Sequence, residues 1–146
     1  MQDPLDISIP VAGVDTSIPL LPEADYDFQI VESIPKVNKK GTGYNWNLKL
    51  ALLSPATSMD GRTINPGFPV FHLVALQASE DAKDPEGFRR GIGDTIDAIL
   101  GTNKDTRPDF NKSVWESAVG RTVKAHIVIE NFEGRDSNKV KRLKKA

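Results

Sequence analysis

Lys36, Lys39 and Lys40 fall within Pro35-Lys36-Val37-Asn38-Lys39-Lys40-Gly41-Thr42-Gly43, where two glycines let the backbone turn sharply and hold the ammonium groups beyond the flanking strands. Point charges clustered on a turn grip phosphate. Lysines at a hairpin tip also serve simply to keep a sheet soluble and to block edge pairing, so the rest of the chain must decide between the two readings. Further cations follow at Lys49 and Arg62, and a second group comprises Arg121, Lys124, Lys139, Lys141, Arg142, Lys144 and Lys145. Flat rings among such cations add base stacking. Of Tyr44, Trp46, Phe71 and Phe132, Tyr44 and Phe71 are the stacking candidates, because Trp46 shares the parity of Leu48, Leu50 and Leu52 and belongs to a core.

The elements that must carry these residues follow from apolar periodicity. Tyr26, Phe28, Ile30 and Ile34 share one face of one strand, and Tyr44, Trp46, Leu48, Leu50 and Leu52 share one face of the next, so the lysine turn joins a long hairpin. Turn signals at Pro55, Asp60-Gly61 and Pro66-Gly67 separate it from a third strand over 69–76, apolar on both parities and expected to be partly covered on its second face. A polar loop holding Ser79, Glu80, Asp81, Lys83 and Asp84 leads to Pro85-Glu86. From Gly87 the period becomes helical, with Phe88, Ile92, Ile96, Ile99 and Leu100 on one face and Gly101 at the end. Gly91 and Gly93 inside this helix each cost about 1 kcal/mol relative to alanine, so close packing against a sheet is expected there. Asp109 or Asn111 caps a short second helix with Val114, Trp115, Ala118 and Val119 on its apolar side. Val123, Ala125, Ile127 and Ile129 then alternate into a loop over 133–138 and a last cationic strand over 139–145. The order is strand, strand, strand, helix, strand, strand. This predicts a mainly β fold, a five-stranded Greek-key barrel of the OB type with a helix between its third and fourth strands.

The formal net charge of −1 conceals a segregation. Residues 1–35 carry seven acids and no Lys or Arg, and the remaining 111 carry 19 bases against 13 acids. Residues 1–24, with Pro4, Pro10, Pro19 and Pro22, read as an extended acidic arm that either lies on the body or reaches a neighbouring subunit to form a homo-oligomer. Residues 25–146 read as one domain, long enough to bury a core without metal or disulfide. The chain has no cysteine, and no apolar run approaches the ~20 residues that span a bilayer. No secretory leader is expected, and the expected setting is cytoplasmic, without a membrane partner.

Catalysis finds little support. His72 and His126 each lie within a strand, where structural histidines predominate. Asp94 with Asp97, and the group Glu80, Asp81, Asp84 and Glu86, read as solvated acidic surface. Gly41-x-Gly43 lacks the strand-to-helix setting of a phosphate loop, and no Gly-x-Ser-x-Gly occurs. No catalytic residue, metal or cofactor is expected.

The run Tyr26-x-Phe28-x-Ile30-x-Glu32, the Lys/Gly turn, Trp46-x-Leu48-x-Leu50, Asp60-Gly61-Arg62, Ala98-Ile99-Leu100-Gly101, Gly120-Arg121-Thr122-Val123 and Asn138-Lys139-Val140-Lys141-Arg142 occur in an order that resembles a tailed-phage family, over residues 25 to about 145. That family is catalogued as domain of unknown function 669. The resemblance implies an OB-like fold and a single-stranded-DNA-binding role among phage or host replication and recombination proteins, in the host cytoplasm. The candidate nucleic-acid contacts, read from charge, strand parity and the expected OB geometry, are Lys36, Lys39, Lys40, Tyr44, Lys49, Arg62, Phe71, Arg121, Lys124, Lys139, Lys141, Arg142 and Lys144. The other expectation is a non-catalytic interaction module that uses an OB-like body and an oligomerising arm.

Overall fold

The computed structural model describes residues 6, 8–13, 17–78 and 83–146; Ser79, Glu80 and Asp81 of the acidic loop, and Asp3, Pro4 and Asp15 of the arm, lie outside the described residues. Among the described residues seven strands and two helices follow in order: β1 (Ala24–Val37), β2 (Tyr44–Leu52), β3 (Ala56–Thr57), β4 (Thr63–Ile64), β5 (Pro69–Ala75), α1 (Gly87–Leu100), α2 (Lys112–Ser117), β6 (Thr122–Phe132) and β7 (Arg135–Lys145). Five of them form one antiparallel sheet in the order β5-β2-β1-β6-β7, and β3 pairs with β4 as a small separate hairpin. The sheet is not closed: β5 and β7 are its edges.

Alternation governs which side chains face in. Trp46, Leu48, Leu50 and Leu52 of β2, Phe28 and Ile30 of β1, and Val123, Ala125 and Ile127 of β6 are buried, with Ile96 and Ile99 of α1 against them. Trp46 is wholly buried, packs on Phe110 with ring centroids 4.9 Å apart, and donates its indole N–H to Ser33 Oγ at 2.8 Å. A buried indole needs such a partner.

Parity fails first in β1. A β-bulge between Ile30 and Glu32 inserts an extra residue, so Ser33 turns inward and Ile34, expected beside Ile30, is 42% exposed on the outer face. The expected loop over 133–138 is also corrected. Glu133 and Gly134 alone make the turn, with φ of 53° and 78°, the double left-handed geometry of a two-residue hairpin, and β7 already starts at Arg135. The outer face of β5 is uncovered, with Phe71 63% and Leu73 57% exposed, where partial cover was expected.

Helix α1 ends as its sequence requires, with Gly101 in the left-handed region donating its N–H to Asp97 O at 2.8 Å. Its glycines do not pack on a sheet. Beside Gly93 lies the Arg107 guanidinium, which a Cβ would meet at 2.7 Å and which is held by Asp97; Gly91 has nothing within 4 Å of a Cβ. Asn111, not Asp109, caps α2, accepting from Val114 N at 3.1 Å. The last part of the arm lies on the body. Asn138 brackets the Leu21 backbone, accepting from its N–H at 2.8 Å and donating to its carbonyl at 2.9 Å, Met59 N donates to Leu20 O, and the Leu21 side chain is buried. No helix among the described residues is long and apolar enough to cross a membrane.

Candidate nucleic-acid interface

Antiparallel register fixes the outer face of β1, β2 and β5 row by row. Glu32, Lys49 and Phe71 lie abreast; Ile34, Asn47 and Leu73 form the next row; Lys36, Asn45 and Ala75 form the third. Within the first row the Lys49 ammonium stands 6.0 Å from the Phe71 ring centroid, at the limit of a cation–π contact. At ~3.3 Å per residue the seven residues of β5 make this face about 23 Å long.

The turn beyond Lys36 is knitted by Asn38, whose backbone N–H donates to Gly43 O and whose side-chain carbonyl accepts from Thr42 N at 3.0 Å. This holds Lys39 and Lys40 at the end of the face. Tyr44 follows the turn at the rim of β2, 55% exposed, its N–H donating to Gln77 Oε1 at 2.8 Å. At the opposite end Phe71 overlooks a groove of about 900 Å³ shared by Ser17–Leu20, Arg62 and the start of β7 from Gly134. Phe132, 70% exposed, is paired with Arg135 at the second turn.

Ion pairing divides the cations that the sequence grouped together. Among the described residues no carboxylate lies within 4 Å of Lys36, Lys39, Lys40, Lys49, Lys141 or Arg142. Lys145 likewise has none, and the remaining cations of the two groups are engaged. Lys144 bonds Asp25 at 2.9 Å and Lys124 stands 3.9 Å from Asp27, both on the outer face of β1, while Lys139 lies 3.8 Å from Glu130. Lys144 and His126 together hold the Asp25 carboxyl below its usual range. Arg121 donates to Ser117 O at 3.2 Å. Arg62 braces the arm, donating to Ser17 O at 3.0 Å, and its Nε is 2.8 Å from Asp60, whose pKa it lowers, with help from Ser58, to about 2.

Lys141 and Arg142 lie on β7, across the open edge from β5. A bulge in β7 between the partners of His126 and Ile127 leaves Lys141 unpaired in the ladder, next to Arg142, and both line the space that Leu73 of β5 also lines. His72, turned inward on β5, is pushed down to about 4 by burial and then by Lys139, so at neutral pH it adds no charge. The face thus carries Lys36, Lys39, Lys40, Tyr44, Lys49 and Phe71, with Arg62 at one end, and Lys141 and Arg142 stand across its open edge on β7. Arg121, Lys124 and Lys144 stand apart on the β6 side.

The chain matches no family model and no curated protein.

Sequence reasoning missed Leu73, Ile34 and Arg135. Leu73 was legible from its shared parity with Phe71, and Arg135 from its place after Glu-Gly, a dipeptide suited to a tight turn. Ile34 was hidden by the bulge. Among the described residues no group of His, Asp and Glu is arranged to hold a metal ion.

Proposed function

We propose that this chain is a non-catalytic, sequence-tolerant single-stranded-DNA-binding protein of a phage, acting in replication or recombination in the host cytoplasm. The observation that carries the reading is the β1-β2-β5 outer face, where the exposed Phe71 ring lies abreast of Lys49, which has no carboxylate within 4 Å among the described residues, on a face that ends at the lysine turn. Single strands ask for this combination, because every base has a face to stack and every link a charge to neutralise. Numbering only the large-sheet strands, the order 3-2-1-4-5 is that of an OB-type Greek-key barrel opened between its third and fifth strands, and OB folds bind oligonucleotides on the faces of their second and third strands. The motif order that resembles the tailed-phage family supports the same reading.

Fluorescence anisotropy with a labelled ~30-nucleotide single strand and its matched duplex, at two salt concentrations, tests it. Single-strand binding that is tighter than duplex binding and weakens with salt is the expected result. No binding at low salt overturns it. The second reading, a protein-interaction module, is favoured by Ile34 and Leu73 on the same face and by Ile9, Val11 and Ile18 of the arm, which are 72%, 70% and 75% exposed. Under it, removal of the arm changes oligomeric state and the strand stays unbound.

A further inference from the structure

Between α1 and the facing edges of β5 and β7 lies a cavity of about 290 Å³, at the lower end of the roughly 300–1,000 Å³ of small-molecule sites. Its apolar lining comprises Leu73, Val74 and Ala75 of β5, Phe88 of α1 and Leu143 of β7, and His72 and Thr95 also line it. The strands beside it are the two sheet edges, which leave one set of backbone N–H and C=O groups outside any ladder among the described residues. Gly91 lines the cavity with nothing within 4 Å of a Cβ, so a large side chain there has open space to extend into. One turn further on, exposed Asp94 adds a carboxylate, and Lys141 and Arg142 of the β7 bulge add cations with no carboxylate within 4 Å among the described residues.

An aromatic wall, an acceptor and two unopposed cations around a space of this size match one kind of ligand. We propose that this cavity takes a single nucleoside phosphate, with its base between Phe88 and Leu73, base N–H groups donating to Asp94, and its phosphate between Lys141 and Arg142. A carboxylate only accepts hydrogen bonds, so the base with adjacent ring and exocyclic N–H donors, guanine, fits first. The inference rests on the single-strand reading only for the ligand's source, which is either a free nucleotide or the terminal nucleotide of a bound strand.

The test titrates the full chain with dGMP, dCMP and inorganic phosphate, following backbone amides by NMR, and measures anisotropy of labelled oligothymidylate with or without a terminal guanine. Each titration is repeated with Gly91→Leu, which fills the cavity with a better helix former and whose folding is checked by circular dichroism, and with Arg142→Glu. The expected result is that dGMP shifts Leu73, Asp94 and Lys141 amides more than dCMP or phosphate does, and that Gly91→Leu weakens this by about tenfold or more through steric exclusion. If dGMP alone is silent but a terminal guanine tightens the oligonucleotide in a Gly91→Leu-sensitive way, the inference stands with the strand as source. Nucleotide binding that survives Gly91→Leu, or no response in either titration, overturns it. Oligonucleotide binding indifferent to terminal guanine and to Gly91→Leu, with dGMP silent, removes the cavity and leaves the strand-binding reading intact. A Gly91→Leu-sensitive dGMP response without any strand binding does the reverse.

Discussion

Neutralising Lys36, Lys39 and Lys40 together, as Lys→Gln, separates a phosphate-binding role from a solubilising one. Each neutralised phosphate on a single strand contributes about −0.7 to the slope of log K against log salt, through the counterions that it releases. If the six cations Lys36, Lys39, Lys40, Lys49, Lys141 and Arg142 engage phosphates, the wild-type slope is about −4, and between about 50 and 200 mM salt its association constant falls roughly 300-fold. Losing three contacts brings the slope to about −2 and the fall to roughly 20-fold. The control is Lys124→Gln with Lys144→Gln, which removes charges already opposed by Asp27 at 3.9 Å and Asp25 at 2.9 Å and leaves the slope within about 0.5 of wild type. Anisotropy titrations across four or so salt concentrations read both variants directly. An unchanged slope in the triple variant, or an equal loss in the control, refutes the division of the cations into free and compensated sets.

Ser33→Ala leaves the Trp46 indole N–H unsatisfied in the core and should destabilise by about 1–3 kcal/mol, read from urea denaturation. Stability should also fall with acid on account of His72. Its folded pKa of about 4 lies below the unfolded value near 6.5, so the unfolded chain takes the extra proton between these limits; the contribution is complete above about pH 6.5, declines as pH falls towards 4, and amounts to about 3 kcal/mol in all. His72→Phe should flatten that part of the pH–stability curve, and a wild-type curve already flat there contradicts the assignment. Asn138→Ala removes both bonds to the Leu21 backbone and should cost about 1–2 kcal/mol while exposing residues 17–22, read as faster limited proteolysis ahead of Glu23.

How much of this was legible in the sequence differs by element. In β2 nothing interrupts the alternation, and the burial of Trp46, Leu48, Leu50 and Leu52 is read directly from their spacing. In β1 and β7 a single bulged residue reverses parity, and no residue type announces it. That is why Ile34 was assigned to the core face and why cations on both parities of the last strand had no geometric account until Lys141 emerged as the extra residue. The glycines of α1 marked a special environment correctly but not its nature, because Arg107 and the cavity beside Gly91 are brought to the helix by distant parts of the fold. Ion pairing was illegible for the same reason: Asp25 and Lys144 are 119 positions apart in the chain.

That pairing also changes what a near-neutral isoelectric point means. The acids of the first 35 residues are not a separate acidic body set against a basic one, since Asp25 and Asp27 sit on the outer face of β1 beside β6 and, across it, face β7. There they neutralise Lys124, Lys144 and, when it is protonated, His126. Near α1, Arg89, Arg90 and Arg107 are taken up by Glu86, Asp84 and Asp97. Part of the charge therefore cancels locally, while Lys36, Lys39, Lys40 and Lys49, from the first hairpin turn across β2, have no carboxylate within 4 Å among the described residues. A total near zero is thus compatible with a local cationic face whose charge is offset by acids elsewhere in the chain. At physiological salt the screening length is about 8 Å, so a strand on that face responds to Lys49 and its neighbours rather than to the net charge of the whole molecule.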